Sequence, residues 1–271
     1  MKKLTLALAI FLALSGCQDV IEVDVPVDSP RLVIDAVLRM DNIDQPNTVV
    51  QIRASVTSSF FDEINPAVLN SISITNLESN TVVNLTEQTP GSGIYRADIP
   101  TNRLVEGTSR LSINYRDELY EAEAIFVPSA PIDELRQGTS TLFTGEETEI
   151  VLTFTDAPDR VDFYLFDFDF NEYLVSEDTF YPGQPFQFSY FYDSELAPQT
   201  ILDISILGVD EQFYNYMNQI ILQSGGEQGP FQTPAATVKG NIVNITNPDN
   251  FALGYFAISQ AFTASLEVAE N

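Results

Sequence analysis

Short segments in which apolar and polar residues alternate fill the chain from residue 31 to residue 127. In LYEAEAIFV (119–127), the residues Tyr120, Ala122, Ala124 and Phe126 fall on one face, and Glu121 and Glu123 on the other. A period of two is typical of a strand with one buried and one solvated face. Similar segments lie at 31–39, 48–56, 71–76, 81–86, 94–99 and 110–115, divided by turn residues such as Arg116-Asp117. Seven such strands predict an immunoglobulin-like or transthyretin-like β-sandwich over residues 31–128.

The proline-containing segment 128–131 (PSAP) interrupts the alternation and marks the predicted domain boundary. Further strands are predicted at 147–156, 163–170, 186–192, 200–209, 235–245 and 252–266. In the segment 160–174, Tyr164, Phe166, Phe168 and Phe170 share one face of the predicted strand. We therefore expect a mainly β chain, with a second β-rich domain over residues 129–271.

One segment of this second domain has the period of a helix. Apolar residues recur at helical spacing in Phe213, Tyr216, Met217, Ile220 and Ile221. Asp210 can accept hydrogen bonds at the start, and Gly225-Gly226 can end the helix in a left-handed conformation. An amphipathic helix near residues 210–224 is the prediction.

The amino terminus has the pattern of a bacterial export signal. Lys2 and Lys3 precede an uncharged, mostly aliphatic stretch over residues 4–14, which is too short to span a bilayer. The string Leu14-Ser15-Gly16-Cys17 follows and resembles a lipobox, in which the cysteine is lipidated and the peptide is cut between Gly16 and Cys17. This predicts a signal peptide over residues 1–16, a lipid-anchored Cys17 and an acidic tether over 17–30. The alternative is an ordinary secretory peptide with an incidental cysteine.

Composition narrows the chemistry that the chain can perform. Cys17 is the only cysteine, histidine is absent, and the net charge is −27. These absences exclude disulfides, thiolate sites, histidine ligands and a Ser-His-Asp triad. Such an acidic surface repels nucleic acid and anionic headgroups, and it favours divalent cations or basic partner proteins. An alternative that explains the charge equally well is solubility at high salt concentration, where excess carboxylates keep proteins dispersed and salt screens their repulsion.

Aromatic residues are concentrated between residues 161 and 192. One interpretation is a platform that stacks sugars or peptide side chains, with Tyr181, Tyr190 and Tyr192 as the exposed members. The alternative is a sandwich core built on phenylalanine, since the period of two is also that of a core. Sugar platforms favour tryptophan, which this chain lacks.

Acidic residues in the same region raise the question of Ca²⁺, which binds six to eight oxygen ligands. The candidates are Asp156, Asp159, Asp162, Asp167 and Asp169, of which Asp167 and Asp169 are the two proposed as ligands. No calcium-loop spacing is present, and a solvated strand face is the simpler interpretation. A carboxylate pair could hydrolyse glycosides, or Lys239 could serve as a base, but no motif supports either. We expect a non-enzymatic protein without a cofactor, and a carboxylate-based hydrolase is the alternative.

Four strings carry a family resemblance: RLVIDAVL, PGSGIYRAD, LYEAEAIFVPSAPID and PFQTPAATVKGNIVNITNPDNFALGYFAISQ. With these strings in this order, the chain resembles the domain-of-unknown-function 4249 family of Bacteroidota lipoproteins. The resemblance implies an outer-membrane lipoprotein, encoded near TonB-dependent receptors and working with one as an accessory binding protein. Asp19 and Glu22 weakly match a signal for display at the cell surface, and the periplasmic face is the alternative. An independent surface protein that binds glycans or peptides is the second function considered.

Overall fold

The computed structural model describes residues 29–59, 62–142, 144–224 and 236–270, which form two β-sandwiches and two α-helices. The predicted mainly β fold is confirmed. Cys17, the signal peptide and the tether up to residue 28 lie outside the described residues, as does Gly225-Gly226. Among the described helices, none has the length and apolar character needed to cross a membrane.

The first sandwich contains all seven strands predicted before residue 128. Its elements are β1 (Leu32–Met40), β2 (Asn47–Val56), β3 (Asn65–Pro66), β4 (Ser71–Asn76), β5 (Thr81–Asn84), β6 (Thr86–Glu87), β7 (Ile94–Pro100), α1 (Thr101–Val105), β8 (Thr108–Tyr115) and β9 (Glu118–Val127). Strands β1, β2 and β7 pair in one layer, and β4, β8 and β9 pair in the other. Alternate residues of both layers, such as Ile34, Ile52 and Leu111, point into one core and are completely buried. Period-two alternation thus places the core as predicted.

The turn between β8 and β9 shows why the sequence folds sharply there. Arg116 and Asp117 both have positive φ angles, of 50° and 63°. Two central residues with positive φ match the right-handed twist of the flanking strands, which is the geometry of a tight hairpin. Tyr115 pairs directly with Glu118 across this turn, and Arg116-Asp117 divide the two strands as predicted.

The second sandwich is built around aromatic side chains. Its elements are β10 (Ile132–Gln137), β11 (Thr148–Thr155), β12 (Phe163–Asp167), β13 (Tyr173–Glu177), a 3-10 helix (Asp178–Phe180), β14 (Pro185–Tyr192) and β15 (Ile201–Val209). Strands β10, β11 and β14 form a small sheet that packs against β12, β13 and β15. Phe154 lies at the centre, with its ring edge-on to Tyr164 and Tyr181 at centroid distances of 5.2 and 5.7 Å. Edge-to-face packing of this kind adds to the stabilisation from buried area.

The strand predicted over 163–170 is wrong in its last three residues. β12 ends at Asp167, and residues 169–171 form a turn in which Asp169, Phe170 and Asn171 all have positive φ. Phe170 is consequently 54% exposed and does not join the face of Tyr164 and Phe166. The turn is closed by the Glu172 N–H, which donates to the Asp169 carbonyl oxygen.

The last strand belongs to both sandwiches. β17 (Leu253–Glu267) pairs in parallel with β1 through its first half and antiparallel with β15 through its second half. The short β16 (Val243–Asn244) pairs with β9. The structure thus differs from the predicted division at residue 128, because the segment from β16 to Gln260 returns to the first sandwich. A parallel partner for β1 requires a distant part of the chain, and alternation alone does not identify it.

Helix α2 (Glu211–Ser224) is found where the sequence predicts it. The Asp210 carboxylate accepts a hydrogen bond from the Phe213 N–H at 2.7 Å, which satisfies one of the unpaired donors at the helix start. Phe213 is 1% exposed and packs with Leu207, Val209 and Tyr255 on the outer face of the large sheet. Tyr216, Met217 and Ile220, on the same stripe, are only half-buried. The helix therefore covers the sheet incompletely.

Candidate functional site

A groove runs between helix α2 and the outer face of strands β1 and β2. Its volume is about 600 Å³. The helix side is lined by Tyr216, Met217 and Ile220, and the sheet side includes Val33 and Val37 of β1. Clefts of a few hundred Å³ with mostly apolar walls are the usual form of ligand sites. The groove is the candidate functional site of the described residues.

The position of the helix wall follows from two aromatic contacts. The rings of Phe213 and Tyr216 lie 4.7 and 5.0 Å from the ring of Tyr255 on β17. Gly254 precedes Tyr255 with a φ of +94°, and a Cβ atom there would lie 1.9 Å from the Ile34 carbonyl oxygen. Only glycine allows β17 to approach β1 this closely. This approach sets Tyr255 beneath the helix and beside the groove.

The charged groups of the groove are balanced against one another. Arg39 forms a 2.5 Å ion pair with Asp167 of β12. Asp35 and Arg53 are exposed and stand directly opposite each other on β1 and β2. Within the described part of the chain, neither of these two side chains has an ion-pair or hydrogen-bond partner within contact distance. In a chain with a net charge of −27, this groove is locally neutral.

The hydroxyl of Tyr255 is a buried polar group next to the groove. Tyr255 is 3% exposed, and its oxygen has no hydrogen-bond partner among the described residues. Burial raises the pKa of this phenol well above its ordinary value, and the nearby Asp210 adds to the increase. Because an unpaired buried hydroxyl is costly, a water molecule or a ligand atom reaching it would be stabilising.

The expected exposure of the aromatic platform is wrong for two of its three residues. Tyr181 and Tyr192 are each only 5% exposed, and Tyr190 is half-buried. Tyr181 stacks on Phe186 at 4.3 Å, and its hydroxyl shares a 2.6 Å hydrogen bond with Ser176. The Tyr192 hydroxyl donates to the Phe168 carbonyl oxygen. These side chains lie on the inner face of the second sandwich, so their spacing reflects a core.

Tyr190 closes the side of the same core. Its ring stacks on that of Phe168 at 4.0 Å, and its hydroxyl donates to Glu172 at 2.7 Å. Burial raises the pKa of Tyr190, and the bond to Glu172 raises it further. As a ligand-binding residue, Tyr190 stays a prediction.

Most of the acidic residues considered for Ca²⁺ are bonded to other protein groups. Asp167 pairs with Arg39, and the Asp169 carboxylate accepts hydrogen bonds from the N–H groups of Phe170 and Asp203. The buried Asp156 accepts the Tyr164 hydroxyl at 2.5 Å. The Tyr164 hydroxyl also lies 3.0 Å from the Asp162 carboxylate, which pairs with Arg160, and Asp159 is exposed. Across the described ranges, no three carboxylates, cysteines or histidines are grouped as metal ligands would be.

Lys239 has a structural neighbour that the sequence does not reveal. Its ammonium nitrogen lies 3.7 Å from the centre of the Phe251 ring, and the Arg31 guanidinium lies 3.8 Å from the same centre. Cations over an aromatic face are attracted by its electron density. Phe251 thus joins Arg31, the residue before β1, to the segment before β17.

The sequence interpretation missed the sheet side of the groove. Val33 and Val37 alternate with Asp35 and Arg39 on the outer face of β1, where a fully solvated strand would carry polar residues only. These two valines were the available signal that a second element partly covers β1.

Comparison with known proteins adds one positive result. A family model described as "Domain of unknown function (DUF4249)" matches residues 18–265. This range includes nearly all of both sandwiches, helix α2 and the whole lining of the groove. No curated protein matches the chain.

Proposed function

The chain belongs to the DUF4249 family, and we propose that it is a lipid-anchored, non-enzymatic binding protein of the outer membrane that uses the groove beside α2 as its ligand site. The observation that carries this proposal is the incomplete cover of the sheet by the helix. A half-buried apolar stripe on α2 faces half-buried valines on β1 across an open cleft. The proposal needs no cofactor, and the anchor is the covalent lipid on Cys17.

The chemistry of the lining selects the ligand class. Tyr216, Met217 and Ile220 offer an apolar surface, and burial of apolar area is the main driving force available to it. The charges of Asp35 and Arg53 balance, so the groove favours an apolar ligand without net charge. A zwitterionic or neutral polar end would lie between those two side chains. A short peptide with apolar side chains meets this description.

A neutral fluorescent probe tests the groove. N-phenylnaphthylamine should bind with enhanced emission, and Ile220→Glu should weaken binding about tenfold because a carboxylate then enters an apolar cleft. Leu222→Glu is the matched control, since Leu222 is 54% exposed on the same helix and does not line the groove. Circular dichroism establishes that both variants are folded. Equal affinities of the two variants would contradict the proposal.

Lipidation of Cys17 supplies the membrane attachment in this proposal. A single acyl chain binds a membrane reversibly, and two or more chains hold stably. Cys17→Ala should move the protein from the membrane fraction to the soluble fraction and leave its thermal unfolding temperature unchanged. Fractionation of cells, with immunodetection and calorimetry of both forms, measures this. A variant that stays in the membrane fraction would show that another part of the chain provides the attachment.

Partnership with a TonB-dependent receptor is the proposed biological setting. It is supported by the family resemblance and by the lack of catalytic histidine or cysteine residues. Affinity isolation of the lipidated protein from detergent-solubilised outer membranes should recover a barrel receptor. Recovery of the lipoprotein alone would favour the second candidate, an independent glycan- or peptide-binding protein that uses the same groove. Protease treatment of intact cells separates display at the cell surface from a periplasmic position, since only a displayed body is cleaved.

A further inference from the structure

Strand β14 presents a long free edge. Its eight residues pair with β11 in unbroken register, from Thr155 opposite Pro185 to Thr148 opposite Tyr192. Within the described ranges, β14 has no strand on its other side, because it is the last strand of the order β10-β11-β14. Main-chain groups along that edge are therefore available to another strand.

The main-chain groups on the free edge can be assigned. The Asp156 N–H donates to the Gln184 carbonyl oxygen, so the main chain of residue 184 points towards β11 and its extension. Successive residues of a strand point to opposite edges. Gln187, Ser189 and Phe191 therefore direct their N–H and C=O groups away from β11. Pro185 is also one of the residues that point away from β11, a position where proline is tolerated because its missing N–H removes no bond of the sheet.

The opposite edge of the same sheet is protected, in contrast to the edge of β14. β10, at the opposite edge of the same sheet, has a register shift between Ile132 and Glu134, and it carries Asp133 and Arg136. At the end of β10, the Gln137 side chain also exchanges hydrogen bonds with the main chain of Ala269. Charges, bulges and covering segments are the usual protection of an edge strand. Residues 186–192 of β14 (FQFSYFY) contain no charge, no glycine and no proline.

We propose that the free edge of β14 binds an extended, basic segment of a partner protein by strand addition. Main-chain hydrogen bonds to residues 187, 189 and 191 would hold the segment, and alternate side chains would contact the half-buried rings of Phe186, Phe188 and Tyr190. This surface lies on the second sandwich, away from the groove beside α2, and the inference does not depend on the proposed ligand site.

Charge identifies the kind of segment. Glu172, Asp193 and Glu195 are exposed near this edge, and Tyr190 is bonded to the first of them. After Arg160 the only basic residue in the sequence is Lys239. A lysine- or arginine-containing strand is therefore attracted to this edge. A second copy of the same chain would bring the same acids together, so pairing of two β14 edges is disfavoured.

Three synthetic octapeptides test the proposal on the full, folded chain. Alternating Lys-Val should bind and should slow hydrogen exchange of the amides of Gln187, Ser189 and Phe191. The same Lys-Val peptide methylated on every main-chain nitrogen has the same charge but has no N–H to donate to a ladder, and alternating Glu-Val can form a ladder but has the opposite charge. Both should bind about tenfold more weakly or worse. Equal binding of the Lys-Val peptide and its N-methylated form would overturn strand addition.

Variants at one position complete the test. Gln187→Pro removes one outward N–H without removing a bond to β11, and it should weaken Lys-Val binding about threefold to tenfold. Gln187→Thr is the matched control, with affinity within about twofold of the parent chain, because it keeps the N–H. Gln187→Lys keeps the N–H but repels a basic strand, so it tests the edge even if the proline variant fails to fold. Unchanged binding in Gln187→Lys, or concentration-dependent dimers of the parent chain through β14, would overturn the proposal.

Discussion

Glu118, at the start of β9, holds the segment before the last strand through its carboxylate. It accepts hydrogen bonds from the Tyr120 hydroxyl at 2.7 Å and from the Asn244, Asn250 and Asn247 side chains at 3.0, 2.6 and 3.2 Å. These bonds, the one from Tyr120 foremost, lower the pKa of Glu118 below its usual value. A single carboxylate therefore joins residues that are more than 120 positions apart in the chain.

Glu118→Gln should destabilise the protein because an amide group replaces two acceptor oxygens with one acceptor and one donor. The expected loss in unfolding free energy near neutral pH is about 1 to 2 kcal/mol, since these hydrogen bonds go to a charged group that is partly solvated. Because the folded pKa is lowered, the carboxylate stabilises the fold above its unfolded pKa, and that contribution disappears as the pH falls through the folded pKa. The difference between parent and variant should therefore shrink in acid.

Urea unfolding at neutral pH and in mild acid measures both effects. Glu123→Gln is the matched control on the same strand, because Glu123 is 51% exposed and pairs with Arg110 at the surface. Its effect should be within about 0.5 kcal/mol. A loss in Glu118→Gln no larger than in this control would show that the asparagine bonds do not stabilise the fold.

At the scale of elements, the sequence predicts most strands and the long helix because each has a period that reports its buried face. The end of β12 shows the limit of that argument. The alternation of Phe166, Phe168 and Phe170 with aspartates continues unchanged through the turn at residues 169–171. Periodicity does not detect a turn that three residues form by adopting positive φ, with Asp169 accepting the Phe170 N–H. The same alternation does not tell which face of β14 is solvated, and this is why Tyr192 is buried where exposure is expected. Tyr181 lies before β14, directly after the 3-10 helix, where no periodicity reports burial.

The groove could be predicted only in part for a related reason. The apolar stripe of α2, with Phe213, Met217 and Ile220, is evident in the sequence. What leaves the stripe half-open is its position on β1 and β2, more than 150 residues earlier in the chain. That position depends on the close approach at Gly254, which no local pattern signals. Local periodicity identifies the face of an element, and long-range pairing determines what covers that face.

At the scale of the whole molecule, buried tyrosines are distributed through every packed region. Tyr120 lies in the first sandwich, Tyr164 and Tyr181 lie in the second, and Tyr255 lies under α2. Burial raises the pKa of each of these phenols, because the charged phenolate is poorly solvated inside the protein. For Tyr181 the value rises to about 12. Because β17 pairs with strands of both sandwiches, we expect ionisation of a tyrosine in one sandwich to destabilise the other sandwich as well.

The molecule should therefore unfold in alkali as its buried tyrosines ionise. A folded pKa above the unfolded value of about 10 means that this stability is fully present below pH 10 and is lost as the pH rises towards 12. Each buried phenol makes the unfolding free energy fall by about 1.4 kcal/mol per pH unit in that window. Tyr181→Phe should reduce the slope of the unfolding free energy against pH by the contribution of one titrating group. Phenolate absorbance, which tryptophan does not obscure in this chain, and circular dichroism should change together in one transition. Gradual tyrosine ionisation near pH 10 with the circular dichroism intact would contradict the burial of these side chains.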